Sequence, residues 1–310
     1  MNTAILVNLS ANNNTGGKKW LSIRNDVLSM MPSVREVITY EPPFQIQECI
    51  LNLLTEKKID CIISAGGDGS LNYIINSIMK SSDDIARKIH LGAIGLGSSN
   101  DFLKPVLHTI RGIPLKIGLD NSRLTDIGKV TFINKDAQCI TKYFIINASI
   151  GITANANLLF NRGDFFINHV KSRFVNLAII YAAIKTIVFN KNSSLQLNYN
   201  HEVKNVKISS LSVVKNPNIS GSFKYDQKTA PDDGMLGLNY CHDMNLFELL
   251  KVLFDLKNGS FSGKPKRIST MINNLKIRSD KFIALETDGE IEVAKDIEFA
   301  LIPKAINVLG

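Results

Sequence analysis

The chain has 310 residues, 45% of them hydrophobic, which is enough to bury one large core or two ordinary ones. Four cysteines (Cys49, Cys61, Cys139 and Cys241) lack CxxC spacing and the five histidines never fall at metal-ligand intervals, which argues against a disulfide framework or a zinc site. The formal net charge of +8 is uneven, because residues 1–127 hold 13 Lys and Arg against 12 Asp and Glu while the remainder holds 23 against 16.

The opening MNTAILVNLS has no basic leader and its apolar run stops at Asn8, so it reads as a strand and not a secretory signal, and a reduced, cytoplasmic setting is expected. AILVNL (4–9) is the first predicted strand, and a helix follows Gly16 and Gly17. VREVITY (34–40) and IDCIIS (59–64) are further strands separated by a helical stretch near 44–57, and LGAIGL (91–96) is another. Short β-branched runs spaced by amphipathic segments predict βαβ units and a parallel sheet, a Rossmann-like α/β domain over 1–127. From about residue 128 the strand candidates crowd together: GKVTFIN, KYFIINASI, SLQLNYN, VKISSLSVV, MLGLNYC, RISTMINNLKI, KFIALET and IEFALI. That spacing predicts an antiparallel β-sandwich domain over 128–310 with a helical insertion near 164–189.

Within the first domain, CIISAGGDGSLNYIINSIM (61–79) runs from a buried strand through glycines into a helix whose Leu71, Ile74, Ile75 and Ile78 recur on one face. A strand-to-helix turn of this kind points backbone N–H groups and a positive helix end outward, and the missing side chains at Gly66, Gly67 and Gly69 let phosphate oxygens approach. A plain tight turn explains the same four residues. Asp68 is harder to explain, since an anion beside a phosphate site needs a cation or a ligand hydroxyl, with Mg²⁺ the natural candidate. AIGLGSSNDFLKP (93–105) repeats the strand, glycine turn and helix start, with Ser98 and Ser99 as N-cap candidates and Asn100 and Asp101 in the first turn. Two such turns at neighbouring strand ends line the crevice where open α/β sheets bind ligands.

GGDGS (66–70) with LNYIIN, GLGSSNDF (95–102), RLTDIGKV (123–130), YFIINASIGI (143–152), APDDGMLGL (230–238) and TDGE (287–290), in this order, resemble the diacylglycerol kinase catalytic-domain family, which includes sphingosine and ceramide kinases and the bacterial YegS-like lipid kinases. The resemblance implies a nucleotide-binding α/β domain followed by a β-sandwich lipid-substrate domain. It places the active site in the cleft between them, and the C-terminal tail is expected to pack back on the first domain. It implies ATP and Mg²⁺, with nucleotide contacts from Asn8, Ser10, Gly66, Gly67, Asp68, Gly69, Ser70, Gly97, Ser98, Asn100 and Asp101. The first loop, NLSANNNTGGK (8–18), departs from the family pattern by lacking Asn-Pro and by being longer.

The same resemblance implies Asp288 as general base with Glu290 beside nucleotide or metal, and Asp68 as a third catalytic acid. Without it, ALETDGEIEV reads as a hairpin turning at Asp288-Gly289. In relatives an acid in the APDDG segment organises a structural magnesium, which makes Asp233, with Asp232 and Asp68, the metal candidates; Asp126 and Asn147 match further family positions. The acceptor is expected to be a lipid with a primary hydroxyl, presented at a membrane surface to a peripheral protein. No nucleic-acid partner and no transmembrane segment are expected, and a homodimer stays open.

FFINHVKSRFVNLAIIYAAIKTIVF (165–189) carries Lys171, Arg173 and Lys185 and falls short of a span; it reads as a packed helix or as a lip meeting the bilayer. The densest basic stretch, 257–281, has seven basic residues and one acid, either a solvated face or an attraction to anionic headgroups through Lys264, Lys266 and Arg267. Two other functions remain: a soluble kinase like the NAD kinases, which share GGDG but differ at the second glycine motif, and a catalytically silent relative.

Overall fold

In the computed structural model the described residues are all but 42–45, 82, 164 and 171–173, with the side chains at 83, 84, 165, 166 and 168 also outside the description. The start of the helix predicted near 44–57 and the insertion's Lys171 and Arg173 therefore lie outside the described residues. The chain forms two compact units, Met1–Thr125 with Lys304–Gly310, and Asp126–Pro303.

The first unit contains β1 (Thr3–Asn8), α1 (Gly16–Met30), β2 (Val34–Tyr40), α2 (Ile46–Thr55), β3 (Cys61–Gly66), α3 (Asp68–Ile78) and β4 (His90–Gly95). The four strands pair in parallel in the order β2-β1-β3-β4, and Asn307 and Val308 extend the sheet in parallel beside β4. β1 and β3 are buried at every position, as a sheet with helices on its faces requires. Trp20, Ile23 and Val27 of α1 pack on Ile5, Val7, Ile63 and Ile94 to form the core.

The second unit is antiparallel. It begins with β5 (Arg123–Ile133), whose first residues belong to the first unit, then β6 (Cys139–Phe144) and β7 (Asn147–Gly151). Helices α4 (Ile152–Arg162) and α5 (Val175–Val188) precede β8 (Ser193–Tyr199), β9 (Glu202–Val214) and β10 (Leu236–His242). Helix α6 (Leu246–Lys257), β11 (Arg267–Ile272), β12 (Asn274–Arg278), β13 (Ile283–Thr287) and β14 (Glu290–Val308) complete it. β9 pairs with β7, β8 and β10, and β13 pairs with β7 and β14. Phe132, Phe144 and Phe299 fill the sandwich core, the last two meeting edge to face at 6.2 Å.

Three features differ from expectation. The strand predicted over KYFIINASI breaks at Ile145 and Ile146, because the backbone there turns inward to bind a carboxylate described below. Helices α4 and α6 arise in segments that show no insertion; α6 starts at a capping box in which Asn245 and Glu248 exchange side-chain to backbone hydrogen bonds. The basic residues of 257–281 are internally neutralised at their densest point: Lys264 and Arg267 both pair with Asp255 at 2.8 Å, and Lys266 pairs with Glu248 at 2.7 Å. Arg267 is buried, so this loop is not an open cationic patch.

Asp226, Asp233 and Asp255 all belong to this unit. Burial pushes each carboxyl up, but hydrogen bonds from Ser262, Lys215 and Lys264 with Arg267, respectively, outweigh it and hold all three below the ordinary 3.8. A folded-state value below the unfolded one gives stability that is complete above the unfolded value and lost as pH falls through the folded value. The melting temperature should be flat from neutrality to about pH 5 and fall below about pH 4. The fall should be shallower in Asp255→Asn, and an equal acid slope in the two proteins would contradict this assignment.

Candidate active site

In the strand order β2-β1-β3-β4, the direction of winding reverses between β1 and β3, and the carboxyl ends of those strands are where an open α/β sheet receives a ligand. β1 ends at Asn8 and β3 ends at Gly66, so the two predicted loops meet at this switch point. Asn8 Nδ2 donates to Ser70 Oγ at 2.8 Å, and Asn8 Oδ1 accepts from the Ser10 backbone N–H and hydroxyl at 3.1 and 2.9 Å. The longer first loop thus still brings Asn8 and Ser10 to the start of α3.

The two glycine turns are joined. Leu96 and Gly97 both donate their N–H to Gly66 O, at 2.9 and 3.1 Å, and a Cβ on Gly97 would overlap the Cα of Gly67. A Cβ on Gly66 would overlap Ser70 Oγ, which fixes that position as glycine too. Gly67 is the N-cap of α3, so Asp68, Gly69 and Ser70 occupy the helix's first turn, where N–H groups have no intrahelical acceptor.

The second motif does not open a helix capped by Ser98 and Ser99. Only a single 3₁₀ turn, Asp101–Leu103, forms, with Asn100 as its cap in the left-handed region at φ 50°. Asn100 folds back instead, accepting from Gly97 N–H at 3.1 Å and donating to Gly95 O and Gly97 O at 3.3 and 3.2 Å. Ser98 is exposed, and Asp101 is buried and paired with Lys104 at 2.6 Å. Asp68 holds this turn: its two oxygens accept the Asp101 and Phe102 N–H groups at 3.0 and 3.2 Å, the work of an anchor for backbone. Lys19 was not singled out from the sequence, yet its Nζ donates to Leu96 O at 3.2 Å, and burial lowers its pKa. Its place in the first turn of a helix after paired glycines was the available signal.

In the second unit, Asp288 and Gly289 form the turn between β13 and β14, both at positive φ, 46° and 95°. Asp288 is buried, and its Oδ2 accepts Ile145 N–H at 2.9 Å while Oδ1 accepts Ile146 and Asn147 N–H at 3.0 and 2.9 Å. Its own N–H donates to Asn147 O at 3.0 Å. Glu290 is half-buried at the head of β14. Glu286, unnoticed in the sequence, is buried beside the turn, taking the Ser149 hydroxyl and the Gly289 N–H, both at 2.6 Å.

The surroundings of Asp233 do not fit a metal ion. Lys215 Nζ stands amid its oxygens, 2.6 Å from Asp233 Oδ1, 2.9 Å from Asp126 Oδ2 and 2.9 Å from Met235 O, and an ammonium and a divalent ion cannot share that point. Asp232 is exposed. Among the described residues no group of three or more His, Cys, Asp or Glu could hold a metal.

A family model described as the diacylglycerol kinase catalytic domain matches residues 2–130, and one described as the YegS C-terminal NAD kinase beta sandwich-like domain matches residues 148–310. The chain belongs to the diacylglycerol kinase catalytic-domain family. A diacylglycerol kinase of Bacillus subtilis is 24% identical over 259 residues, covering 82% of this chain and 78% of its own. A crystal structure of a diacylglycerol kinase from Bacillus anthracis superposes with a TM-score of 0.65 at 14% identity, covering 99% of this chain and 96% of that one, which shows the shared fold. The protein is accordingly a kinase.

Asp288→Asn tests the buried turn. An amide must turn its NH₂ toward at least one of the N–H groups that now face a carboxylate oxygen, leaving a buried donor unpaired at a cost of about 1–3 kcal/mol. The melting temperature should drop accordingly, and wild-type stability in the variant would mean that the displaced N–H bond contributes nothing.

Proposed function

We propose that the protein is a lipid kinase that transfers the γ-phosphate of ATP, with Mg²⁺, to a primary hydroxyl of a diacylglycerol-like lipid. The observation that supports the lipid acceptor is a mainly apolar cavity of about 70 Å³ in the second unit, walled by α4, α5, α6 and the sheet strands β9 and β10. Ile152, Phe160, Ile179, Ala183, Phe223 and Leu253 line it. The space is too small for an acyl chain as it stands, so a lipid tail would have to part the helices. It would then meet carbon on most sides, with Thr153, Asn157, Ser210 and Ser220 as the polar exceptions, whereas a soluble dinucleotide would leave most of its polar groups without partners.

The joined glycine turns of the first unit suit the ATP phosphates, with N–H groups of the first turn of α3 and the Lys19 ammonium as donors and Asn8 and Ser10 beside them. Mg²⁺ would arrive on the phosphates and neutralise their charge. Asp288 already receives three N–H groups, so within the Asp288 and Glu290 pair we assign proton removal from the acceptor hydroxyl to Glu290 and the ordering of residues 145–147 to Asp288. Transfer to diacylglycerol in mixed micelles, with none to NAD, is the expected assay result. Glu290→Gln should lower turnover by roughly a hundredfold or more at unchanged melting temperature. Ala183→Phe should impair long-chain acceptors and spare a short-chain soluble one. Activity on NAD alone would overturn the lipid acceptor, and full turnover of Glu290→Gln would overturn the base.

Peripheral docking is assigned to the helices and not to the basic loop. Phe247 and Phe254, 79% and 66% exposed, share one face of α6 with Lys251, and Leu177, Ile184 and Val188 of α5 are exposed as well. No described helix is long and apolar enough to cross a membrane. A phenylalanine transferred from water contributes about 1.5–3 kcal/mol, so replacing both by Ser should weaken binding to anionic vesicles by on the order of a hundredfold. Because both side chains are exposed, the melting temperature should hold. Unchanged sedimentation with vesicles would exclude this face.

A further inference from the structure

Lys215 follows β9 and its side chain is 1% exposed, as is that of Asp126; the Asp233 side chain is 26% exposed. An ammonium has three N–H donors, and Nζ has three oxygen acceptors here: Asp126 Oδ2, Asp233 Oδ1 and Met235 O, at 2.6–2.9 Å. These are lengths of charge-assisted N–H···O bonds, longer than the roughly 2.0–2.1 Å that a magnesium ion demands of its ligands.

The loop 230–235 is wound around this one positive charge. Asp126 Oδ2 also accepts Gly234 N–H at 2.8 Å, Asp233 Oδ1 accepts Met235 N–H at 3.0 Å, and Asp233 Oδ2 accepts Ala230 N–H at 2.8 Å. Asp126 N–H donates to Pro231 O at 2.7 Å. In the other direction, Lys215 and Asn216 both donate their N–H to Ile146 O, at 2.8 and 2.9 Å, and Ile146 in turn donates its N–H to Asp288. One ammonium against two carboxylates leaves a single negative charge, which is tolerable because Asp233, not Asp126, reaches solvent.

We propose that Lys215 is the resident cation of this site. Its ammonium replaces the structural divalent ion that the family resemblance implies at Asp233, makes the second unit independent of metal, and positions the 145–147 backbone that grips Asp288. Unlike a bound ion, it is tethered to β9 and cannot be removed by a chelator. Lys215 is thus a positioning residue that acts through Ile146.

The experiment omits nucleotide, so that magnesium carried by ATP does not enter. Wild-type protein dialysed against EDTA should contain no stoichiometric divalent metal, and its melting temperature should be the same with EDTA and with millimolar Mg²⁺. Lys215→Ser opens the space around Nζ and leaves both carboxylates without their counter-charge. Its melting temperature should fall by roughly 10 °C in EDTA. Mg²⁺ or Mn²⁺ should restore most of that loss, with one Mn²⁺ bound per chain by electron paramagnetic resonance, and the added Asp233→Asn should abolish the binding. A wild-type chain that retains one divalent ion dependent on Asp233 overturns the proposal, as does a Lys215→Ser protein that neither binds Mn²⁺ nor responds to it. Should Lys215→Ser not fold, the wild-type arm together with Lys215→Arg decides: a cationic replacement should melt without metal dependence, and metal dependence of either protein overturns the assignment.

Discussion

A buried carboxylate is stable only where donors or an opposite charge replace the water it has lost, and the second unit is organised by that requirement. Asp288 draws in three consecutive backbone N–H groups, which is why the chain turns at Ile145 and Ile146 when its side chains favour a continued strand. Asp126 and Asp233 draw in the Lys215 ammonium and the loop 230–235. The two clusters share Ile146, whose carbonyl is held from the lysine side and whose N–H is held by Asp288. Loss of either cluster would therefore be felt at the other, because the peptide between them is short and saturated at both ends.

The first unit solves a different problem. There two strand-end turns must pack directly against each other, so side chains are absent at Gly66, Gly67 and Gly97, and Asp68 and Asn100 pin the second turn in place. These contacts are short in sequence or join neighbouring strand ends, and for that reason the arrangement was legible. Strand, glycine turn and helix appear in order in CIISAGGDGSLNYIINSIM, and a parallel sheet leaves few ways to place two such turns. The job of Asp68 was not legible, because a carboxylate facing a phosphate and a carboxylate facing the next turn's N–H groups leave the same letters.

In the second unit the sheet could be read from its spacing and the partners could not. Asp288 reaches residues more than 140 positions away, and the pairing of Lys215 with Asp126 spans 89. A lysine after an apolar strand looks like the first residue of a solvated loop, and nothing local distinguishes a buried one. The run at 257–281 misled in the opposite sense, since its charges seemed to face outward while their acids, Glu248 and Asp255, sit on α6, a helix the strand-rich pattern concealed.

Those unforeseen helices also change where an apolar ligand can be accommodated. With α5 alone, the sheet would offer a flat cover; α4 and α6 add the side walls that turn it into a cavity. Helices α5 and α6 also turn other apolar residues outward, Phe247 and Phe254 among them, with no acid between these two on their common face. Exposed apolar side chains are common singly, so it is their recurrence along one helix face, with the cavity on the other, that distinguishes α6. Under the proposed lipid acceptor both faces would have a use, the tail at the cavity and the bilayer at the outer face. The walls of the second unit, more than the glycine motifs of the first, therefore bear on the choice between a lipid and a soluble acceptor.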